Sequence, residues 1–310
     1  MNIAAIGMAA LLSLSSVAWG GGPTMNGFKV GGGTIPVDLI HHGGPPRDGI
    51  PAIDAPRFVP AHEAGFLKPA DRVLGVARGA IARAYPIAIL NWHEVVNDHF
   101  DGAPVAVTFC PLCGTGMAFN ARVDGQALVF GVSGLLYNSD VLLYDRQTES
   151  LWSQIMAQAV TGPMQGARLE FLPTAHTTWA EWRERHPHSE VLSPDTGFRR
   201  DYGRDPYADY VDSEDLMFPV HFRDERFHPK EQVIGVSVDG NHKAYPFSRL
   251  ARAGSGPIED EIAGQPVRIE FDPQARTGRV TDADGREIPS LIAFWFAWVA
   301  FHPETAVHGE

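Results

Sequence analysis

Cysteine is nearly absent from this chain. There are two in 310 residues, with no third or fourth to complete a thiol-only metal site or a disulfide framework. Cations are also in short supply, 25 Lys and Arg against 37 Asp and Glu, for a formal net charge of −12. Nucleic-acid binding needs clustered cations, so no nucleic acid is expected as a partner. No apolar run reaches the roughly 18 residues of a membrane span. Beyond the N-terminal stretch the nearest, Ile288 to Phe301, is shorter and amphiphilic at its tryptophans. There is no Gly-x-Ser-x-Gly elbow, no phosphate loop and no His-Glu-x-x-His helix. The signatures of serine hydrolases, phosphate-loop proteins and zincins are therefore missing.

What is present reads as a folded protein: 44% hydrophobic and 20% charged residues, with 32 glycines and 24 prolines that predict many turns and short elements. Ile3 to Ala18 is apolar and ends in small residues, Ser16-Val17-Ala18 and Ala18-Trp19-Gly20. We read residues 1–18 as a signal peptide, although no Lys or Arg precedes the apolar run. The expected location is periplasmic or extracellular, where two thiols meet an oxidising compartment. Residues 19–71 form a Gly/Pro-rich arm and loop carrying His41 and His42.

The remainder echoes itself. Arg72 to Val76 is matched by Gln232 to Val236, and Ala84-Tyr85-Pro86 by Ala244-Tyr245-Pro246. Phe109-Cys110-Pro111-Leu112-Cys113-Gly114-Thr115-Gly116 aligns with Phe271-Asp272-Pro273-Gln274-Ala275-Arg276-Thr277-Gly278. Trp179-x-x-Trp182-x-x-x-His186-Pro187 aligns with Trp295-x-x-Trp298-x-x-x-His302-Pro303. The expected fold class is α+β and β-rich, two tandem pseudo-symmetric repeats of hairpins plus short helices. Repeat one spans 72–192 with an insert at 131–167, a polar linker follows at 193–231, and repeat two spans 232–310 with a degenerate site. In repeat one a helix is expected from Asn91, whose Asn91-x-x-Glu94 spacing has the capping form. The insert is expected to pair Val141 to Tyr144 with Leu151 to Gln154.

Only the first copy carries the cysteines. A thioredoxin-type pair sits at a helix N-terminus, where the helix dipole favours the thiolate. Here the pair lies between a β-branched strand and Gly114 to Phe119, which also reads as strand. The better geometry is a knuckle, a turn that aims both sulfurs inward as a half-site for a thiophilic metal, zinc or copper. The further ligands would come from elsewhere. His93 is the favoured one, with His41 and His42 as loop alternatives. Asn138, Ser139, Asp140, Asp145 and Gln154 crowd polar groups into the insert, either orienting ligands or satisfying their own backbone. Two other readings stay open: thiol–disulfide exchange at Cys110 and Cys113, with a redox or metal-transfer partner, and a structural disulfide in a binding module for an unknown small molecule.

Three stretches carry a resemblance: Ile89-Leu90-Asn91-Trp92-His93-Glu94-Val95-Val96-Asn97-Asp98, Phe109 to Gly116, and Asn138-Ser139-Asp140 followed by Asp145 to Gln154. Together they resemble a domain-of-unknown-function family of exported bacterial and archaeal proteins, DUF3179, over about Gly43 to Pro303. Gly116-Met117 departs mildly, where a small residue followed by a branched aliphatic one is expected. The resemblance implies export and a shared site, and brings no settled activity.

Overall fold

Runs such as Val73-Leu74-Gly75-Val76 and Val105-Ala106-Val107 are too short and too β-branched for helices, and turns punctuate them every few residues. The computed structural model describes residues 22–254 and 256–310, so the expected signal peptide lies outside the described residues. Strand outweighs helix, 42% to 10%, most of it antiparallel, and the four α-helices among the described residues are only four to seven residues long. None is long and apolar enough to cross a membrane.

The strands form five sheets of three to five strands, in a five-bladed β-propeller arrangement. The first blade orders Ala175–Thr178, Arg72–Arg78, Ile81–Pro86, Glu190–Leu192 and Phe58–Pro60. The second orders Glu170–Leu172, Thr115–Asn120, Ala103–Cys110 and Val95–Phe100. The third orders Gln158–Thr161, Leu151–Ser153, Asp140–Asp145, Phe130–Tyr137 and Ile40–His42. Ser290–Phe294, Gln232–Val238, Asn241–Pro246 and Ala306–Val307 make the fourth, and Ile258–Ile262, Gln265–Asp272 and Thr277–Asp282 the fifth.

This corrects the expected fold class. The chain is not an α+β tandem of two hairpin repeats. The stretches that echo one another lie in four of the blades, and the 131–167 segment builds most of a blade of its own, completed by Ile40–His42 from the N-terminal loop. Sequence comparison aligned segments, whereas hydrogen bonding between distant segments decides the sheets. One shared packing device shows why certain residues recur. A Cβ on Gly75 would lie 2.1 Å from the Trp182 ring, and one on Gly235 would lie 2.2 Å from Trp298. Each glycine lets a tryptophan lie directly on the strand.

The helix expected from Asn91 is also corrected. A single turn spans Ile87–Leu90, and Asn91 closes it as C-cap. Glu94 then takes a left-handed φ of +57° and the chain leaves as the strand Val95–Phe100. Two β-branched residues at Val95 and Val96 favour that strand, and the Asn91 side chain bonds Asp205 instead of capping. The helix Trp179–Arg185 is capped by Thr178, which accepts a hydrogen bond from the Glu181 amide. Trp295–Phe301 is apolar on nearly all sides and correspondingly buried. Its first free amides are satisfied by the carbonyls of Glu231 and Pro229.

Candidate functional site

Ala103–Cys110 and Thr115–Asn120 pair as a hairpin with Cys110 opposite Thr115, so both cysteines lie at the hairpin end. Gly114, at φ +64°, lets the chain turn out, and a Cβ there would meet the Phe294 ring at 3.0 Å. From the other side the Phe294 amide donates to the Cys113 carbonyl at 2.8 Å. Gln154 clamps the two strands. Its amide donates to Thr108 Oγ1 at 2.8 Å, and its carbonyl oxygen accepts from Thr115 Oγ1 at 2.6 Å. All three residues are buried, so the clamp is shielded from competing water.

The third blade brings the acid. Asn138 and Ser139, at φ +51° and +65°, form a two-residue turn between paired Tyr137 and Asp140. That is the type I′ hairpin geometry, reached here without glycine. The turn aims the Ser139 carbonyl at both thiols, which donate to it at 3.8 Å (Cys110) and 3.4 Å (Cys113). It also sends the Asp140 carboxyl inward. Ligand atoms of Cys110, Cys113 and Asp140 lie within 4.8 Å of one another, the one such group of three or more His, Cys, Asp or Glu among the described residues. Their exposure is 1%, 0% and 0%. Asp140 Oδ2 accepts from the Ile155 amide at 3.1 Å, while Asp140 Oδ1 and Ser139 Oγ are buried without a hydrogen-bond partner among the described residues.

Electrostatics follow from burial without a cation. Burial pushes the Asp140 carboxyl up to about 7, against the opposing pull of the Ile155 and Val141 amides and the Cys110 thiol. Burial likewise pushes the Cys113 thiol well up, with Cys110 and Asp140 adding to it. Glu94 is raised to about 8, by burial first and then by Asp140. An uncompensated negative charge is costly in such surroundings, so these groups hold protons unless a cation replaces them.

Several expected residues lie outside this group. His93 is fully buried, but Pro51 O and Tyr202 Oη, each at 2.7 Å, occupy its two ring nitrogens. It therefore pins the loop and the 193–231 segment instead of facing the thiols. His41 and His42 sit on an edge strand, half-buried and exposed, paired with Leu136 and Leu135. Asp145 serves its own turn, accepting from the Thr148 amide at 2.6 Å, Thr148 Oγ1 at 2.8 Å and Trp152 Nε1 at 2.9 Å. Asn138 is likewise structural, bonding Ala300 O at 3.1 Å and the His221 amide at 2.9 Å.

Three neighbours escaped sequence reasoning. Glu94 looked like a capping acid, and only its left-handed backbone turns it inward. Tyr207 and Tyr210 come from the 193–231 segment, which contains no helix or strand and lies across the site as a strap. Burial raises both phenols, with Glu94 and Cys110 adding at Tyr207 and the two cysteines at Tyr210. The only sequence signal was the strap's density of tyrosines.

No curated protein and no solved structure matches the chain. Residues 47–305 match the family model described as "Protein of unknown function (DUF3179)", and the chain belongs to that family.

Proposed function

We propose that Cys110, Cys113 and Asp140 are the protein ligands of a thiophilic metal ion in an exported protein. The observation that carries this is the convergence of two sulfurs and a carboxylate within 4.8 Å, wholly buried, with one carboxylate oxygen left unpartnered. Two thiolates and a carboxylate bring three negative charges that a divalent ion would largely neutralise. Zinc and copper were both expected; the oxygen donor favours zinc, since copper(I) prefers sulfur alone. Three protein ligands leave a fourth position open, the arrangement of catalytic rather than structural zinc. The Ile155 amide on Asp140, the Ser139 carbonyl facing the sulfurs and the Gln154 clamp hold the ligands in place.

The thiol–disulfide reading has less support. The pair is buried, sits in a turn between strands and not in the first turn of a helix, and Cys113 is shifted away from the thiolate. Metal analysis of protein purified from its export compartment, combined with a free-thiol assay, tests the proposal. About one metal per chain is expected, lost in Cys110→Ser and Asp140→Ala and kept in His93→Gln. Metal-free protein with a reversibly reducible Cys110–Cys113 disulfide sinks it.

A further inference from the structure

Beside the cysteine turn lies a cavity of about 190 Å³, well below the roughly 300–1,000 Å³ of sites for drug-sized ligands. Leu112, between the two cysteines, and Val141, next to Asp140, form part of its wall; Leu136, Tyr207 and Phe218 close it. Its one acidic residue is Glu94, and no Lys, Arg or His lines it. Glu94 is 7% exposed, and its oxygens are not among the fully buried unpartnered atoms, so the carboxyl stays accessible from the cavity it lines. The backbone holds it there firmly. The Glu94 amide donates to Leu90 O at 2.7 Å, and its carbonyl accepts from the Phe109 amide at 2.8 Å, one residue before Cys110. A left-handed φ at a non-glycine residue costs about 1–2 kcal/mol, and turning a carboxyl into a largely apolar cavity adds to that cost. Packing explains neither, since a leucine or glutamine in a relaxed turn would fill the space.

We propose that this cavity binds a small, mostly apolar molecule with a single carbonyl group, which the Glu94 carboxyl holds by donating a hydrogen bond. Without a cation in the wall, a negatively charged ligand has nothing to pair with. A charged amine would have to shed its water into an apolar space, which a single ion pair compensates poorly. A neutral carbonyl asks only for a donor, and a protonated carboxyl beside apolar walls supplies one. The cavity's wall includes sequence neighbours of all three proposed ligands, so such a molecule would sit next to the metal centre. This inference adds a substrate class to the proposed function but stands on separate observations, and binding in the cavity does not require the metal.

The test is titration of cyclopentanone, methylcyclopentane and cyclopentylamine into the full-length protein, followed by methyl NMR. The wild type is expected to bind the ketone saturably, shifting the methyl signals of Leu112, Leu136 and Val141, about tenfold more tightly than the hydrocarbon. That ratio corresponds to about 1.4 kcal/mol, the scale of one net hydrogen bond. Glu94→Gln retains a donor and should stay within a few-fold, whereas Glu94→Leu should bind ketone and hydrocarbon alike. Absence of saturable shifts at those methyls in the wild type overturns the proposal without recourse to a variant. So does tightest binding of the amine, or undiminished ketone preference in Glu94→Leu. Metal content is measured on the same samples. Metal-free protein that binds the ketone supports this site and removes the metal reading; metal-loaded protein that ignores the ketone does the reverse.

Discussion

Asp140 and Glu94 are two buried carboxyls within electrostatic reach of each other, raised to about 7 and about 8. The folded state therefore holds protons that the unfolded chain releases. The stability this contributes is complete below the ordinary carboxylate range and is lost as pH rises through about 7 and then about 8. Metal-free protein should lose a few kcal/mol of stability between about pH 4 and 8, each raised unit being worth about 1.4 kcal/mol at most. Asp224, Asp260 and Glu270 are shifted downward by their Arg and Lys partners and act in the opposite sense, at lower pH. Urea unfolding across that window checks the slope, and Asp140→Asn and Glu94→Gln should each flatten part of it. In metal-loaded protein the slope should reverse, because binding a cation to Asp140 and the two thiols releases their protons. A flat profile with and without chelator would contradict both statements. None of this was readable beforehand. Asp140 could be named as a polar residue in a crowded insert, but nothing in its neighbours distinguishes an inward carboxyl from one that serves its own turn, as Asp145 does.

Among the elements, the hairpin around Cys110 and Cys113 was legible and the strap over it was not. A β-branched run before the motif and Gly114 after it already favour strand–turn–strand, because local alternation is enough to specify a hairpin. The strap has no periodicity, and its path is set by scattered anchors. Asn91 bonds Asp205, Trp92 bonds Arg204 O, His93 bonds Tyr202, and the His221 amide bonds Asn138. Each joins residues far apart in sequence, so no local pattern announces them. The expectation of a polar linker that packs its tyrosines left open which core they join; Tyr207, Leu216, Phe218 and Phe227 pack against the same core as the cysteines. If the strap is what shields the thiols, Tyr210→Ala should raise their modification rate by 5,5′-dithiobis(2-nitrobenzoate) about tenfold or more in folded, metal-free protein. Tyr245→Ala is the control. It removes an equally buried tyrosine from the fourth blade, costing about 3 kcal/mol by cavity formation, but leaves the strap in place. Equal thiol rates in the two variants would reject the idea.

The molecule as a whole is tied together by contacts from both ends of the chain to its middle. Phe294 of the fourth blade bonds the Cys113 carbonyl, Ala300 receives the Asn138 amide, and Ile40–His42 completes the third blade. The site consequently draws on three of the five blades, and unfolding should be one transition. Tryptophan fluorescence, from Trp152, Trp179, Trp182, Trp295 and Trp298, should report the same urea midpoint as exposure of the thiols. Separated midpoints would mean that blades melt independently. By itself the sequence determined a β-rich chain, an armed turn at Cys110 and Cys113 against an unarmed one at Asp272 and Ala275, and the family. Those follow from composition, period-two patterning and motif, all of which are local. Only the tertiary structure decided that the larger sheets form five blades, that Asp140 and not His93 meets the thiols, and that Glu94 faces a cavity beside them. Sheet partners and inward-facing acids depend on contacts between residues tens to hundreds of positions apart, and no window along the chain contains both members of such a pair.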